Sequence, residues 1–224
     1  AAWRRSSSLR HWVTEEASAP ADPIPKSVAD EQSGYLPSLD FYTEGWTRRH
    51  MQDQHVHEPM SNSIQLVLGV FTIPQDLEYR EVVRRTWLNQ TGVCLLQGGP
   101  RSGCSVYAAF VMGNRGFGKD KKNQPLPLPE GVSEEELEAT RQEPGTFLLD
   151  MEENMNAGKS ATWFMSALKT YPWATHIGKT DMDVYPFLHK LVHRMAADRD
   201  CVGHVSPYEF IGHPSKRPKG NFSV

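Results

Sequence analysis

The sequence has no apolar run approaching the roughly 18–20 residues that a membrane-spanning helix needs. It has no marked charge imbalance either: 24 basic and 27 acidic residues give a net charge of −3, so no overall field indicates a nucleic-acid partner. Only three cysteines are present, an odd number that excludes a complete disulfide framework. The chain also lacks an initial methionine and starts at Ala1, from which we expect a fragment, a processed form or a gene remnant.

The cysteine pairing is open at the level of sequence. Cys94 and Cys104 bracket the glycine-rich stretch LLQGGPRSG and could form a disulfide across it, while three free thiols are the equal alternative. Two N-glycosylation sequons, NQT at Asn89 and NFS at Asn221, favour the secretory lumen.

The chain divides into two parts near residue 62. Residues 1–61 are rich in proline, serine and charge, and no apolar period lasts two helical turns, so we expect a largely disordered stem that packs little. His55 and His57 stand in an HVH triplet, but no third spaced ligand completes a metal site there. The sequence therefore predicts a solvated histidine pair.

Residues 62–224 alternate between strand and helix patterns, which predicts an α/β fold with a mostly parallel sheet and helices on both faces. Ser133 and Glu136 have capping-box spacing at the start of a short exposed helix. Strands are predicted at 63–71, 104–113, 145–152 and 173–181, and helices at 77–89, 133–143, 158–171 and 185–196.

The segment KTDMDVYPF, residues 179–187, places two carboxylates at the end of the last predicted strand. On an extended segment, Asp181 and Asp183 would point to the same side and could hold a hard cation such as Mn²⁺ or Mg²⁺. A phosphatase turn with Asp181 as nucleophile is one alternative, although it normally follows an unbroken apolar strand and this one carries His176 and Lys179. A turn with Asp183 as a helix N-cap is the other.

The segment NAGKS, residues 156–160, is similar to the end of a phosphate-binding P-loop, but Glu153 stands where that motif needs a glycine. We therefore expect Gly158 and Lys159 simply to begin a helix.

Four segments in the right order across residues 64–188 resemble the β1,3-glycosyltransferases of the galactosyltransferase type, glycosyltransferase family 31. They are LVLGVFTIPQDLEYREVVRRTW, AFVMG, LLDMEENMNAGKS and KTDMDVY. The residues of these segments are most similar to those of the trypanosomatid branch of the family, which uses UDP-galactose or UDP-N-acetylglucosamine.

The resemblance implies a GT-A-like α/β domain that transfers a hexose from a UDP-sugar to a glycan hydroxyl with inversion. It further implies Mn²⁺ or Mg²⁺ as cofactor and a type II membrane protein of the Golgi lumen, whose membrane anchor lies outside this chain. By the same resemblance Asp183 is the metal ligand, and Asp181, Lys179, Arg84 and Thr72 line the nucleotide-sugar pocket.

Among the departures of the sequence from the family pattern, two concern the catalytic chemistry. Met182 replaces the central aspartate of the metal motif, and the family's acceptor half, with its catalytic base, is expected beyond Val224. Glu209 is the one carboxylate side chain after the DRD segment. A non-catalytic remnant that at most binds nucleotide is therefore the second hypothesis, and a metal-dependent phosphatase the third. For Arg80, Arg84 and Arg85, a solvated helix face is the alternative to a functional role.

Overall fold

The computed structural model describes residues 39–48, 52–120 and 122–196. The strands are β1 (Leu66–Phe71), β2 (Val93–Leu95), β3 (Val106–Arg115), β4 (Thr146–Glu152) and β5 (His176–Asp181). The helices are α1 (Leu39–Trp46), α2 (Leu77–Arg85), α3 (Glu134–Ala139), α4 (Lys159–Thr170) and α5 (Leu188–Met195), with short 3-10 turns at Gln54–His57, Trp87–Asn89 and Thr140–Gln142. None of these helices is both long and apolar enough to cross a membrane.

The five strands form one sheet in which every pairing between them is parallel. β1 lies between β3 and β5. On the edge of β3 that faces away from β1, β2 pairs with the first half of β3 and β4 pairs with its second half. The chain thus runs outward from β1 to β3 and β4, then returns to the opposite side of β1 as β5. This reversal creates a topological switch point between β1 and β5, the position where sheets of this kind bind ligands.

Helices cover both faces of the sheet because its central strands are apolar on both sides. All six residues of β1 are buried, as expected for a parallel strand between two helical layers. On one face, Leu68 and Phe110 pack with apolar residues of α1, α2 and α5; on the other, Val67 and Tyr107 pack with α4. The prediction of an α/β fold with a mostly parallel sheet is confirmed.

Trp163 is the main contact between α4 and the sheet. Its indole is fully buried, donates from Nε1 to the Gly178 carbonyl at 3.0 Å, and meets the Phe147 ring edge-on with 5.2 Å between ring centroids. A Cβ at Gly69 would lie 2.6 Å from this indole. The absence of a side chain at Gly69 therefore leaves the space in which the Trp163 indole packs against β1.

The predicted strands at 63–71, 104–113, 145–152 and 173–181 are all present, with ends shifted by a few residues. The capping box is confirmed as well: the Ser133 hydroxyl accepts from the Glu136 N–H, and the Glu136 carboxylate accepts from the Ser133 N–H. As expected, α4 begins at Lys159 directly after Gly158, which takes the left-handed conformation.

The expectation that residues 1–61 pack little is wrong for 39–48 and 52–61, the part of this segment that the structure describes. Trp46 is 4% exposed and stacks on Tyr185, and Val56 is fully buried. A few apolar residues are enough to hold this segment in place, because Trp46 and Met60 join the core cluster that contains Leu188 and Val192 of α5. The last helix is also shorter than predicted, beginning at Leu188 instead of residue 185.

Cys94 and Cys104 form a disulfide that ties β2 to the chain just before β3. This resolves the pairing that the sequence left open. Cys201, Glu209 and Asn221 lie outside the described residues.

We predict that Trp163→Ala lowers the free energy of unfolding by about 3–5 kcal/mol, because it removes a large buried ring and leaves a cavity. Met165 lies on the same helix but is 73% exposed. Met165→Ala should therefore change stability by no more than about 0.5 kcal/mol. Urea denaturation of both variants checks this, and equal losses would show that α4 does not pack as described.

Candidate functional site

The candidate site lies at the carboxyl edge of the sheet, where the parallel strands end together. Phe71, the last residue of β1, is in register with Asp181, the last residue of β5. Thr72 and Glu153 directly follow β1 and β4. Thr72 and Asp181, two of the site residues predicted from the sequence, therefore border the switch point between β1 and β5.

Asp181 and Asp183 lie on a tight turn, and the prediction of an extended segment is wrong. The Val184 N–H donates to the Asp181 carbonyl at 3.3 Å, which closes a turn through Met182 and Asp183. Met182 packs against the core, whereas both aspartates are exposed. The alternative of Asp183 as a helix cap also fails, because α5 begins only at Leu188.

Lys179 lies beside this turn. Its Nζ is 3.4 Å from the Asp181 carboxylate and 4.9 Å from the centroid of the Phe71 ring. Both partners are largely exposed, so this ion pair adds little to stability. Lys179 and Asp181 are thus brought together as predicted, with their charged groups open to solvent.

The two aspartates supply a ligand set that suits a hard divalent cation held jointly with a phosphate. Across residues 39–48, 52–120 and 122–196, no three His, Cys, Asp or Glu side chains are gathered around one point for a metal ion. Mg²⁺ and similar ions, however, commonly use one or two carboxylates and complete their shell with water and substrate phosphates. The Asp181–Asp183 turn fits that kind of site.

Thr72 lies at the same edge but is fully buried. Its hydroxyl donates to the Asp76 carboxylate at 3.1 Å, and Asp76 also accepts from the Ile73 N–H at 3.0 Å. These bonds fix the loop between β1 and α2. Thr72 therefore shapes the edge from within, and no part of its side chain is presented at the surface.

Arg80 holds the same loop from the other side, so its interpretation as part of a solvated helix face is wrong. Its guanidinium is fully buried and donates to the carbonyls of Ile73 at 2.8 Å and Pro74 at 3.2 Å. It also pairs with Glu143 at 3.1 Å. A buried arginine with all these partners is a structural clamp.

Arg84 joins the same network. It pairs with Glu143, and its guanidinium lies 4.8 Å from the centroid of the Phe110 ring. Arg85 is exposed and pairs with Glu81 at 2.7 Å, which agrees with a solvated face at that position. The contacts of Arg84 in the structure are thus to α2, β3 and the chain before β4, and not to the Asp181 turn.

Glu143 receives both arginines. Burial raises the pKa of its carboxyl, but the hydrogen bonds from Arg80 and Arg84 outweigh that effect, and the pKa lies below its ordinary value. Glu143 is therefore ionised at neutral pH and binds α2 to the segment before β4.

The sequence did not reveal that Glu153 and Lys159 form a fully buried ion pair at this edge. The Lys159 ammonium donates to Glu153 at 2.7 Å and to the Thr72 carbonyl at 2.6 Å, and neither charged side chain is exposed. Glu153 also accepts from the Gly113 N–H at 2.6 Å. The one sequence signal for this pair is Glu153. It replaces the glycine that a P-loop needs, and in the structure it binds Lys159, the lysine that would bind phosphate in a P-loop.

Burial lowers the pKa of Lys159, while the charge and hydrogen bonds of Glu153 act in the opposite direction. The pairing therefore depends on both charges being present.

Comparison of the chain with protein-family models, with curated proteins and with solved structures finds no match.

We predict that Lys159→Met lowers the free energy of unfolding by about 3–5 kcal/mol, because it leaves the Glu153 charge buried without a partner. The double variant Glu153→Gln, Lys159→Met should recover much of this loss, since the amide oxygen can still accept from Gly113. Denaturation curves of the two variants check the prediction. A double variant that is less stable than the single one would contradict the ion-pair interpretation.

The lowered pKa of Glu143 predicts a pH dependence of stability. Its ion pairs contribute fully above its unfolded pKa of 4.5 and are lost as the pH falls through the lower folded value. Between about pH 6 and pH 3, the free energy of unfolding should therefore fall less for Glu143→Gln than for the wild type, as measured by urea unfolding at each pH. Parallel pH profiles of the two proteins would argue against the network.

Proposed function

We propose that this chain forms the nucleotide-sugar-binding part of a GT-A-type glycosyltransferase. The enzyme transfers galactose or N-acetylglucosamine from its UDP-sugar to a glycan hydroxyl, with inversion and in β1,3 linkage. The observation that carries this proposal is the exposed Asp181–Asp183 turn beside the switch point of a parallel sheet. Two carboxylates at that position are suited to a divalent cation that carries a nucleoside diphosphate.

The order of the sequence motifs supports the proposal further. The segments that resemble the galactosyltransferase-type family fall on β1 with α2, on β3, on β4 with the start of α4, and on β5. All four therefore reach the carboxyl edge with residues of the buried network or of the aspartate turn.

Each residue of the edge has a part in this proposal. Asp183 binds the cation, Asp181 contacts the ribose or a water on the cation, and Lys179 donates to a diphosphate oxygen. When bound, Mn²⁺ or Mg²⁺ would neutralise the charge that develops on the departing UDP. Thr72 and Arg84 act indirectly, by holding the loop and helix behind the site.

A lumenal location in the Golgi, with a membrane anchor in the intact protein, belongs to the same proposal. The Cys94–Cys104 disulfide supports it because such bonds persist in oxidising compartments. The sequon at Asn89 supports it as well, because that side chain is exposed.

The test is calorimetric titration of UDP into the full chain with and without Mn²⁺. We expect binding that requires Mn²⁺ and that Asp183→Asn weakens by about 10–100-fold, the loss seen even for outer-shell partners of metal ligands. Asp150→Asn is the matched control, since Asp150 is also an exposed carboxylate on this side of the sheet but pairs with Asn114 and Arg115. It should bind UDP as the wild type does.

Equal affinities for wild type and Asp183→Asn would contradict the metal role. A phosphoryl group recovered covalently on Asp181 would instead establish the phosphatase alternative. Manganese-dependent UDP binding without sugar transfer, in an assay with UDP-galactose and UDP-N-acetylglucosamine, would support the site while favouring a nucleotide-binding remnant.

A further inference from the structure

The aspartate turn, residues 181–184, is held by the sheet at its first residue. Asp181 is still part of β5 and lies in register with Phe71 of β1. The turn itself is closed by the Val184 N–H, which donates to the Asp181 carbonyl at 3.3 Å, and Asp183 and Val184 are both exposed. A turn of exposed residues closed by a long hydrogen bond needs a second anchor on its far side if its side chains are to keep one direction.

Tyr185, the residue directly after the turn, supplies that second anchor. Its ring stacks on Trp46 of α1, with 6.4 Å between the ring centroids and 28° between the ring planes. Aromatic pairs at such separations attract each other beyond the area that they bury. Met182 and Tyr185 also pack against the core cluster to which Trp46 belongs. The residues on both sides of Asp183 are therefore held by one apolar cluster.

Trp46 is itself firmly held, so it can act as a fixed support. It is 4% exposed and shares its core cluster with Leu188 of α5. Further along the same segment, the Asp53 carboxylate accepts from the Lys190 ammonium at 2.6 Å. The hydrogen bond from Lys190 is the main cause that lowers the pKa of Asp53 to about 2, so this carboxylate is ionised at neutral pH. Both ends of the segment are thus fixed to α5.

The stretch between the turn and α5 has further contacts. The amide nitrogen of Gln90 donates to the Pro186 carbonyl at 2.9 Å. His55, in the 3-10 turn after Asp53, lines one cavity together with His189 of α5. The chain that follows the aspartate turn is therefore held by α1, by the chain after α2 and by the segment before β1.

We propose that Trp46 is a positioning residue for the aspartate turn: by stacking on Tyr185, it sets the direction in which Asp183 presents its carboxylate. What the turn binds rests on the proposed function, whereas the positioning itself does not depend on the ligand. Trp46 acts through Tyr185 and does not touch the cation or the nucleotide. The described part of residues 1–61, which composition predicts to be a stem, would then support the nucleotide-sugar site directly.

The first test measures NMR backbone order parameters of the full chain without ligand. In the wild type, Asp183 and Val184 should give values near the roughly 0.85 of rigid backbone, and in Trp46→Leu values below about 0.6. Met60→Ala is the matched control, because Met60 lies in the same segment and core cluster but packs close to Gly92, just before β2. It should leave both order parameters unchanged.

The second test is calorimetric titration with UDP and Mn²⁺, at a temperature where circular dichroism shows every variant to be folded. Trp46→Leu and Tyr185→Leu should each weaken Mn²⁺-dependent UDP binding by about 10–100-fold, the loss typical of residues that orient a metal ligand. The double variant should lose no more than either single variant, because both remove the same contact. Trp46→Phe keeps a stacking ring and should restore most of the affinity, while Met60→Ala should bind as the wild type does.

Tyr185 is only partly buried, so Tyr185→Leu carries the same two expectations should Trp46→Leu not fold. If the wild type binds UDP with Mn²⁺ and the Trp46 and Tyr185 variants bind it equally well, the positioning role is wrong and the nucleotide site stands. If the wild type binds no UDP, the proposed function fails, and the order parameters still decide whether Trp46 holds the turn. Unchanged order parameters in Trp46→Leu, or equal losses in Trp46→Leu and Met60→Ala, would overturn the inference.

Discussion

The ion pair between Glu153 and Lys159 is the constraint on which the carboxyl edge depends. Through it, the end of β1 meets the start of α4 at the Thr72 carbonyl, and the end of β3 meets the chain after β4 at the Gly113 N–H. Neither charge reaches solvent, so each is tolerable only because the other is present. The close approach also explains Gly113, where a Cβ would lie 2.7 Å from the Glu153 backbone nitrogen. Four segments are thereby locked at one point.

From this anchor the edge is built in two layers. The inner layer is largely buried and hydrogen-bonded: Arg80 holds the loop after β1, and the partly buried Glu143 joins α2 to the segment before β4. The outer layer is the exposed turn with Asp181 and Asp183. A rigid inner layer beneath an open set of charged groups is what a binding site requires, because the groups that meet a ligand are held in place before it arrives. The proposed UDP-sugar site therefore depends on residues that would never touch the sugar nucleotide.

Local patterns in the sequence predicted the elements that neighbouring residues determine. The apolar runs predict β1 and β3, and the spacing of Ser133 and Glu136 predicts a capping box; all three are present. The buried positions of Arg80 and Lys159 could not be predicted, since charged side chains are buried only where the tertiary fold supplies their partners. For the same reason the meeting of His55 with α5 has no local signal. The spacing of Asp181 and Asp183 predicts an extended segment, whereas the structure has a turn in which Met182 packs inward, and residue spacing does not reveal that packing.

The most direct test of the central claim is a paramagnetic NMR titration of the full chain with UDP and trace Mn²⁺. We expect the amide signals of Thr72, Ile73 and the turn 181–184 to broaden first. Signals of Gln65 and Val106, at the opposite ends of β1 and β3, should stay sharp, since β1 spans roughly 17 Å from end to end. Broadening centred on the amino ends of the strands, or UDP-dependent shifts that leave the turn 181–184 unaffected, would contradict a nucleotide site at the carboxyl edge.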